Sequence, residues 1–185
     1  MMKNRIKKLL KESIEVKEKL IACHLDNIQD IINLCIKTLK AGGKIILCGN
    51  GGSAADSQHL ATEFVVRFKK NRKSLPAIAI TTNTSIITAI GNDYGYDKVF
   101  ARQLESLANK NDLLIAITTS GKSRNIIEAV KKAKQIGLKT IAFTGGNGKN
   151  FAKRCDLSFV VPDTDTARIQ EAHICIGHII CEISE

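Results

Sequence analysis

His59 and Glu63 stand four residues apart, which on a helix puts an imidazole and a carboxylate on one face within two turns. Such groups can take and return protons near neutral pH. A solvated ion pair has the same spacing, so the pair draws its meaning from what precedes it. The apolar run Lys44 to Cys48 leads into Gly49-Asn50-Gly51-Gly52-Ser53, which reads as a strand, a glycine turn and a helix start. Ser53 is placed to cap that helix, and Asp56 three residues on completes a capping-box pattern. The free backbone N–H groups of such an end favour phosphates and sugar oxyanions. A sharp turn with no ligand needs the same glycines. Neither nucleotide fingerprint is met, since there is no G-x-x-x-x-G-K-[ST] and no third glycine after Gly49-Asn50-Gly51, so no nucleotide cofactor is expected.

A second turn of this kind follows the apolar run Asp112 to Ile117, where Thr118-Thr119-Ser120-Gly121-Lys122-Ser123 crowds hydroxyls around one glycine. Each hydroxyl can donate to a phosphate oxygen, and Ser123 can cap a helix reaching about Gln135, before Gly137. Two anion-friendly turns after different strands of one parallel sheet suit a ligand at the carboxyl ends of those strands. The last helix expected, from about Thr166 to Ile183, has an apolar face at Ile169, Ala172, Ile176, Ile179, Ile180 and Ile183. Gln170, His173 and His178 interrupt it, as ligands or as satisfied core and interface side chains. Gln170 and His178 are separated by about 80° around the axis and about 12 Å along it. One copy of the helix therefore cannot easily bring both to a single point, and a site that used both is expected to be shared between copies in a homo-oligomer.

Asn50-Gly51-Gly52-Ser53, His59 with Glu63, Asn92-Asp93, the hydroxyl loop at Thr118 to Ser123 and Thr166-Ala167-Arg168-Ile169-Gln170-Glu171-Ala172-His173 together resemble the sugar-isomerase (SIS) domain. More narrowly, they resemble the phosphoheptose isomerases, in order and over nearly the whole chain. The resemblance implies isomerisation of sedoheptulose 7-phosphate to D-glycero-D-manno-heptose 7-phosphate through an enediolate, opening bacterial heptose-precursor synthesis for lipopolysaccharide or capsule. It implies Glu63 and His178 as acid and base, and zinc on His59, Glu63, Gln170 and His178. Sugar phosphate contacts fall to Asn50, Gly51, Gly52, Ser53, Glu63, Asn92, Asp93, Thr118, Thr119, Ser120, Ser123 and Gln170. A homotetramer with shared sites is implied as well. Thr118 stands where many relatives carry serine, keeping the hydroxyl and adding a methyl. Ala167 stands where some carry aspartate, so no carboxylate role transfers there. A rival reading is a non-catalytic SIS adaptor that engages a replication initiator, which resembles this chain in the terminal Arg-Ile-Gln-Glu run but lacks the acid–base residues present here. An isomerase for another phosphosugar is a further alternative.

These groups need a scaffold, and its pattern is visible. Short runs rich in Ile, Leu and Val at Lys44–Cys48, Ala77–Ile80, Leu113–Ile117, Thr140–Phe143 and Leu157–Val161 alternate with helical spacings. That is a βαβ series and predicts a three-layer αβα sandwich around a parallel sheet of about five strands, flavodoxin-like or Rossmann-like. Residues 1–41 precede it with helical spacing, broken near Cys23–Asp26 and ended by Gly42 and Gly43. At 185 residues, with only Pro76 and Pro162 and no linker or repeat, a single domain is expected.

The net charge of +10 is concentrated in residues 1–20, with seven Lys/Arg against three Glu, and in Arg67-Phe68-Lys69-Lys70-Asn71-Arg72-Lys73. With 4% aromatic residues and no interleaved stacking platform, this reads as solvated surface that steers phosphorylated metabolites, not as a nucleic-acid site. The first twenty residues lack an apolar signal region, and no stretch approaches the roughly 20 residues that span a bilayer. Six cysteines at irregular spacing, without Cys-x-x-Cys, fit a reduced cytoplasm, and Cys48 reads as a buried thiol rather than a nucleophile.

Overall fold

The computed structural model describes all 185 residues. In chain order the elements are α1 (Met2–Cys23), α2 (Leu25–Lys40), β1 (Ile45–Cys48), α3 (Gly52–Val65), β2 (Ala77–Ala79), α4 (Thr84–Tyr94), α5 (Val99–Leu107), β3 (Leu113–Ile117), α6 (Arg124–Ile136), β4 (Lys139–Gly145), α7 (Lys149–Ala152), β5 (Leu157–Val161) and α8 (Thr166–Ser184). The five strands are all parallel, in the order β2-β1-β3-β4-β5. No helix is long and apolar enough to cross a membrane.

Because strand side chains alternate, each strand feeds two cores. Ile45, Leu47, Leu113, Ile115, Ile117, Ile141, Phe143 and Phe159 meet Val16 and Leu20 of α1, Ile28, Ile31, Ile32 and Cys35 of α2, Leu60 and Phe64 of α3, and Ile169, Ala172, Ile176 and Ile180 of α8. On the opposite face Ile46, Cys48, Leu114, Ala116 and Ala142 meet Val99, Phe100 and Leu104 of α5, Ile126, Ala129, Val130 and Ala133 of α6, and Phe151 of α7. Every residue of β1 and β3 is buried, as a strand covered on both sides requires. Each fully buried Ile, Leu, Val or Phe contributes about 1.5–3 kcal/mol through lost apolar surface.

The expected sandwich is present, with one refinement. Residues 1–41 do not simply precede the core, because α2 and the end of α1 form part of one helical layer. Strand ends shift slightly. Lys44 falls outside β1, its backbone N–H and ammonium both given to Asp112. β4 runs longer than expected because it is paired on both sides, to β3 and to β5. The helical break lies at His24 and the long helix after Ser123 ends at Gly137, both as the spacing predicts.

The strand order places the site. Chain progression turns one way from β1 to β2 and the other way from β3 to β4 and β5, so β1 and β3 flank the point where the order reverses. At such a point the loops at the strands' carboxyl ends splay apart and leave a crevice. Asn50 to Ser53 leaves β1 there and Thr118 to Ser123 leaves β3 there.

Candidate functional site

The β1 loop enters α3 earlier than its side chains suggest. Gly51, with φ of 53°, is the N-cap, and no side chain caps the helix. Ser53 is therefore inside the first turn, its N–H donating to the Asn50 carbonyl, and is buried. Asp56 does not close a capping box. It turns inward, 7% exposed, and accepts from Gln170 Nε2 at 3.4 Å. Burial pushes its pKa up, while the Gln170 bond and then the nearby His59 and His178 pull it back part of the way. The Gln170 amide packs against the Gly52 Cα, so a Cβ there would displace that side chain.

Two turns into α3, His59 and Glu63 meet α8. His59 Nε2 lies 2.8 Å from His178 Nε2 and 3.3 Å from Glu63 Oε1. The donor atoms of these three residues all lie within 4.8 Å of one another. Two imidazole nitrogens that close can share a proton or face a common cation, and a His-His-Glu set with an open side is the donor set zinc takes at catalytic centres. The residues fit that group. Gln170 is not among the three: two turns earlier on α8, it serves Gly52 and Asp56, as the axial separation requires.

Phe68 stacks on the His178 ring, with centroids 5.3 Å apart and planes 20° apart. Sequence reasoning left Phe68 as a stray aromatic in a solvated basic run. Arg72, in the same run, is also not free surface: its guanidinium donates to the carbonyls of Glu63, Phe64 and Lys73 and lies beside Glu185. The Glu185 carboxylate in turn accepts from the N–H groups of Phe68, Lys69 and Lys70.

The β3 loop supplies the hydroxyls. Thr118 Oγ1 and Ser123 Oγ are 3.3 Å apart, Ser120 Oγ accepts from Lys122 N–H, and Gly121 has φ of 67°. A Cβ on Gly121 would meet Gly148 Cα at 2.7 Å, so the turn is fixed against its neighbour. Ser123 occupies the N-cap of α6 without a side-chain capping bond, which leaves its hydroxyl to Thr118. The Thr119 carbonyl accepts from Gly145 N–H, pinning the loop to β4. Asn92 and Asp93 lie exposed at the end of α4 and bond to each other. They approach the site only through the next turn, where the Tyr96 hydroxyl donates to Asn50 Oδ1 at 3.3 Å.

Asp56, Asn125, Phe68 and Arg72 are the neighbours that reading the sequence missed. Asn125 left a signal, since it follows the capping Ser123 by two residues and faces the crevice side of the helix start. Asp56 and Phe68 act through partners distant in the chain, and Arg72 joins nearby carbonyls to the distant Glu185. Cys48 is a buried free thiol whose pKa burial raises, as expected of a packing residue. A depression of about 910 Å³ beside edge strand β5, lined among others by His24, Lys149, Lys153 and Thr164, contains none of the acid–base groups.

The family model for the SIS domain matches residues 9–145. A phosphoheptose isomerase of Clostridium acetobutylicum is 53% identical over 186 residues, spanning 100% of this chain and 95% of that protein. One of Aquifex aeolicus is 50% identical, spanning 100% and 96%. The solved phosphoheptose isomerase of Neisseria gonorrhoeae superposes with a TM-score of 0.94 at 41% identity, covering 100% of this chain and 98% of that one. The chain belongs to the SIS-domain family and, within it, to the phosphoheptose isomerases, and it is therefore an isomerase.

Proposed function

We propose that this isomerase converts sedoheptulose 7-phosphate to D-glycero-D-manno-heptose 7-phosphate, feeding heptose-precursor synthesis for lipopolysaccharide or capsule. The observation that carries the reading is the convergence of Glu63 and His178, from α3 and α8, beside the crevice flanked by two anion-binding loops. The phosphate is held by the N–H groups at Gly51, Gly52 and Ser53 and by the hydroxyls of Thr118, Thr119, Ser120 and Ser123. Asn92 and Asp93 take sugar hydroxyls, and Gln170 contacts the chain between its ends. Fixing both ends of the open-chain sugar aligns the reacting carbons. Glu63 removes the proton from C1 and returns one to C2. His178 moves a proton from the C1 hydroxyl to the C2 oxygen, so the ketose becomes the aldose with no net gain or loss of protons.

His59, Glu63 and His178 would hold zinc, with Gln170 of a neighbouring copy as a fourth donor. Bound there, the ion supplies Lewis-acid polarisation of the sugar carbonyl. Glu63 has two carboxylate oxygens, and Oε1 already faces His59, so proton transfer falls to the other. The proposal includes a homotetramer with shared sites in a reducing cytoplasm. Its support is the exposed apolar series Ile6, Leu9, Leu10 and Ile14 on α1 and the six free cysteines.

The test is turnover of sedoheptulose 7-phosphate against shorter ketose phosphates, with and without chelator, beside Glu63→Gln and His178→Gln. The heptulose is expected to react fastest, with each variant losing about 10²-fold or more in kcat. Undiminished turnover in either variant removes that residue's role, and preference for a shorter ketose assigns another substrate.

A further inference from the structure

Asn125, the second residue of α6, is 3% exposed and carries a polar side chain that no phosphate or sugar role accounts for. Its amide and that of Asn50 close a ring of two hydrogen bonds across the crevice. Asn50 Nδ2 donates to Asn125 Oδ1 at 2.9 Å, and Asn125 Nδ2 donates to Asn50 Oδ1 at 2.8 Å. Asn125 Oδ1 also accepts from the Ile126 N–H at 3.0 Å, and Asn50 Oδ1 accepts from the Tyr96 hydroxyl at 3.3 Å. One amide pair thus joins the loop after β1, the start of α6 after β3, and the turn that follows Asn92 and Asp93.

We propose that Asn125 is a positioning residue which, through Asn50, sets the separation of the N-termini of α3 and α6 so that a single phosphate meets donors from both. The inference rests on the reading that these two loops hold the substrate's phosphate. An amide carries two donors and an acceptor with two lone pairs, and the ring spends one of each amide's donors and its acceptor internally. The Asn50 side chain is therefore a strut first, with one N–H left over for a ligand. Backbone N–H groups bind an oxyanion well only when they are already aimed at it, because any reorganisation is subtracted from the binding energy. The strut holds ground state and transition state equally, so its loss should weaken binding more than it slows the proton transfers. Removing one amide also leaves the other without its partner, so a polar group shielded from water goes unsatisfied.

The experiment measures inorganic phosphate binding by calorimetry and steady-state kinetics with the heptulose phosphate on full-length wild type, Asn50→Ala, Asn125→Ala and the double variant. Each single change is expected to raise the phosphate Kd and the substrate KM about tenfold with kcat changed by less than about threefold, and the double variant is expected to be no worse than the worse single. Tyr96→Phe, at a residue 57% exposed, removes only the Tyr96–Asn50 bond and should raise the phosphate Kd about two- to threefold in a fully folded protein. It keeps the question open to measurement if Asn125→Ala does not fold. Wild-type phosphate affinity in Asn125→Ala, additive single effects, an unchanged Kd in Tyr96→Phe, or a loss confined to kcat overturns the proposal. If the wild-type protein turns over the heptulose yet binds no phosphate, the shared-phosphate reading falls and takes the strut with it. If phosphate binds as expected but the heptulose is not turned over, the substrate assignment falls and the strut is still judged by Kd alone.

Discussion

His173 is enclosed completely, its ring tilted between Phe143 and Phe159, and neither ring nitrogen has a well-formed hydrogen bond. Burial lowers its pKa to about 4, with the nearby Thr144 backbone raising it slightly. The unfolded chain, with an ordinary histidine near 6.5, therefore binds a proton that the folded chain refuses between those values. Stability from this residue is intact above about pH 6.5 and is lost as pH falls toward 4, by roughly 3 kcal/mol over the whole window. Urea unfolding at pH 7 and pH 5 should show the decline, and His173→Phe should flatten the part of it that lies in this window. An equal slope in both proteins would assign the acid sensitivity elsewhere. Of the other histidines, His59 was legible because it shares a helix face with Glu63, and His178 was assigned only through the family resemblance. His173 was left open between ligand and core, because periodicity says which face a residue is on but not which atoms meet it there.

At the scale of elements, the five strands, the helix after Ser123 and the last helix were legible to within a residue or two because each run of Ile, Leu and Val had to be covered, and those helices keep an apolar face. Helix starts were less so. Ser53 has the right type for a cap, yet Gly51 adopts the positive φ that begins the turn two residues earlier; the glycines signalled a turn but not which residue would start the helix. The segment after α3 was opaque for a different reason. Its organiser, Glu185, lies more than a hundred residues away in sequence, and its side chain is fully enclosed by that segment and Arg72. Burial works to raise the Glu185 pKa, but the N–H groups of Lys70, Phe68 and Lys69, then Arg72, outweigh it and hold the carboxyl below its usual range. Glu185→Ala strips the acceptor from three N–H groups and should free Phe68 from the His178 ring. Amide exchange at residues 68–70 should accelerate about tenfold or more, with kcat reduced about fivefold and Glu185→Gln intermediate. Exchange unchanged from wild type would mean that the segment is held by Arg72 alone.

At the scale of the whole molecule, one chain leaves its chemistry open and its apolar surface uncovered. Ile6, Leu9, Leu10, Ile14 and Ile21 on α1 are between 46% and 64% exposed, and α4 buries none of its residues. Apolar surface of that kind is what the proposed oligomer would cover. The separation of Gln170 from His178 along α8 bears on the same proposal, since His59, Glu63 and His178 cluster without Gln170, and a site that also used Gln170 would draw it from a second chain. If both needs are met by the proposed oligomer, breaking the α1 surface should disassemble the protein and disable the site together. Leu10→Glu with Ile14→Glu, at positions with no role in either core, should reduce the particle to a smaller species in size-exclusion chromatography with light scattering while circular dichroism keeps its helical signal. Zinc affinity, read by competition with a chromophoric chelator, should fall at least about tenfold in that species, because a donor has been withdrawn rather than mutated. A second readout separates assembly from damage. Mixing Glu63→Gln with Gln170→Ala subunits should restore turnover if a site draws Glu63 from one chain and Gln170 from another, since some mixed sites then carry neither change. A dissociated, metal-loaded chain that turns over substrate at the wild-type rate would show instead that each subunit holds a complete site, and would leave the exposed face of α1 to some other purpose.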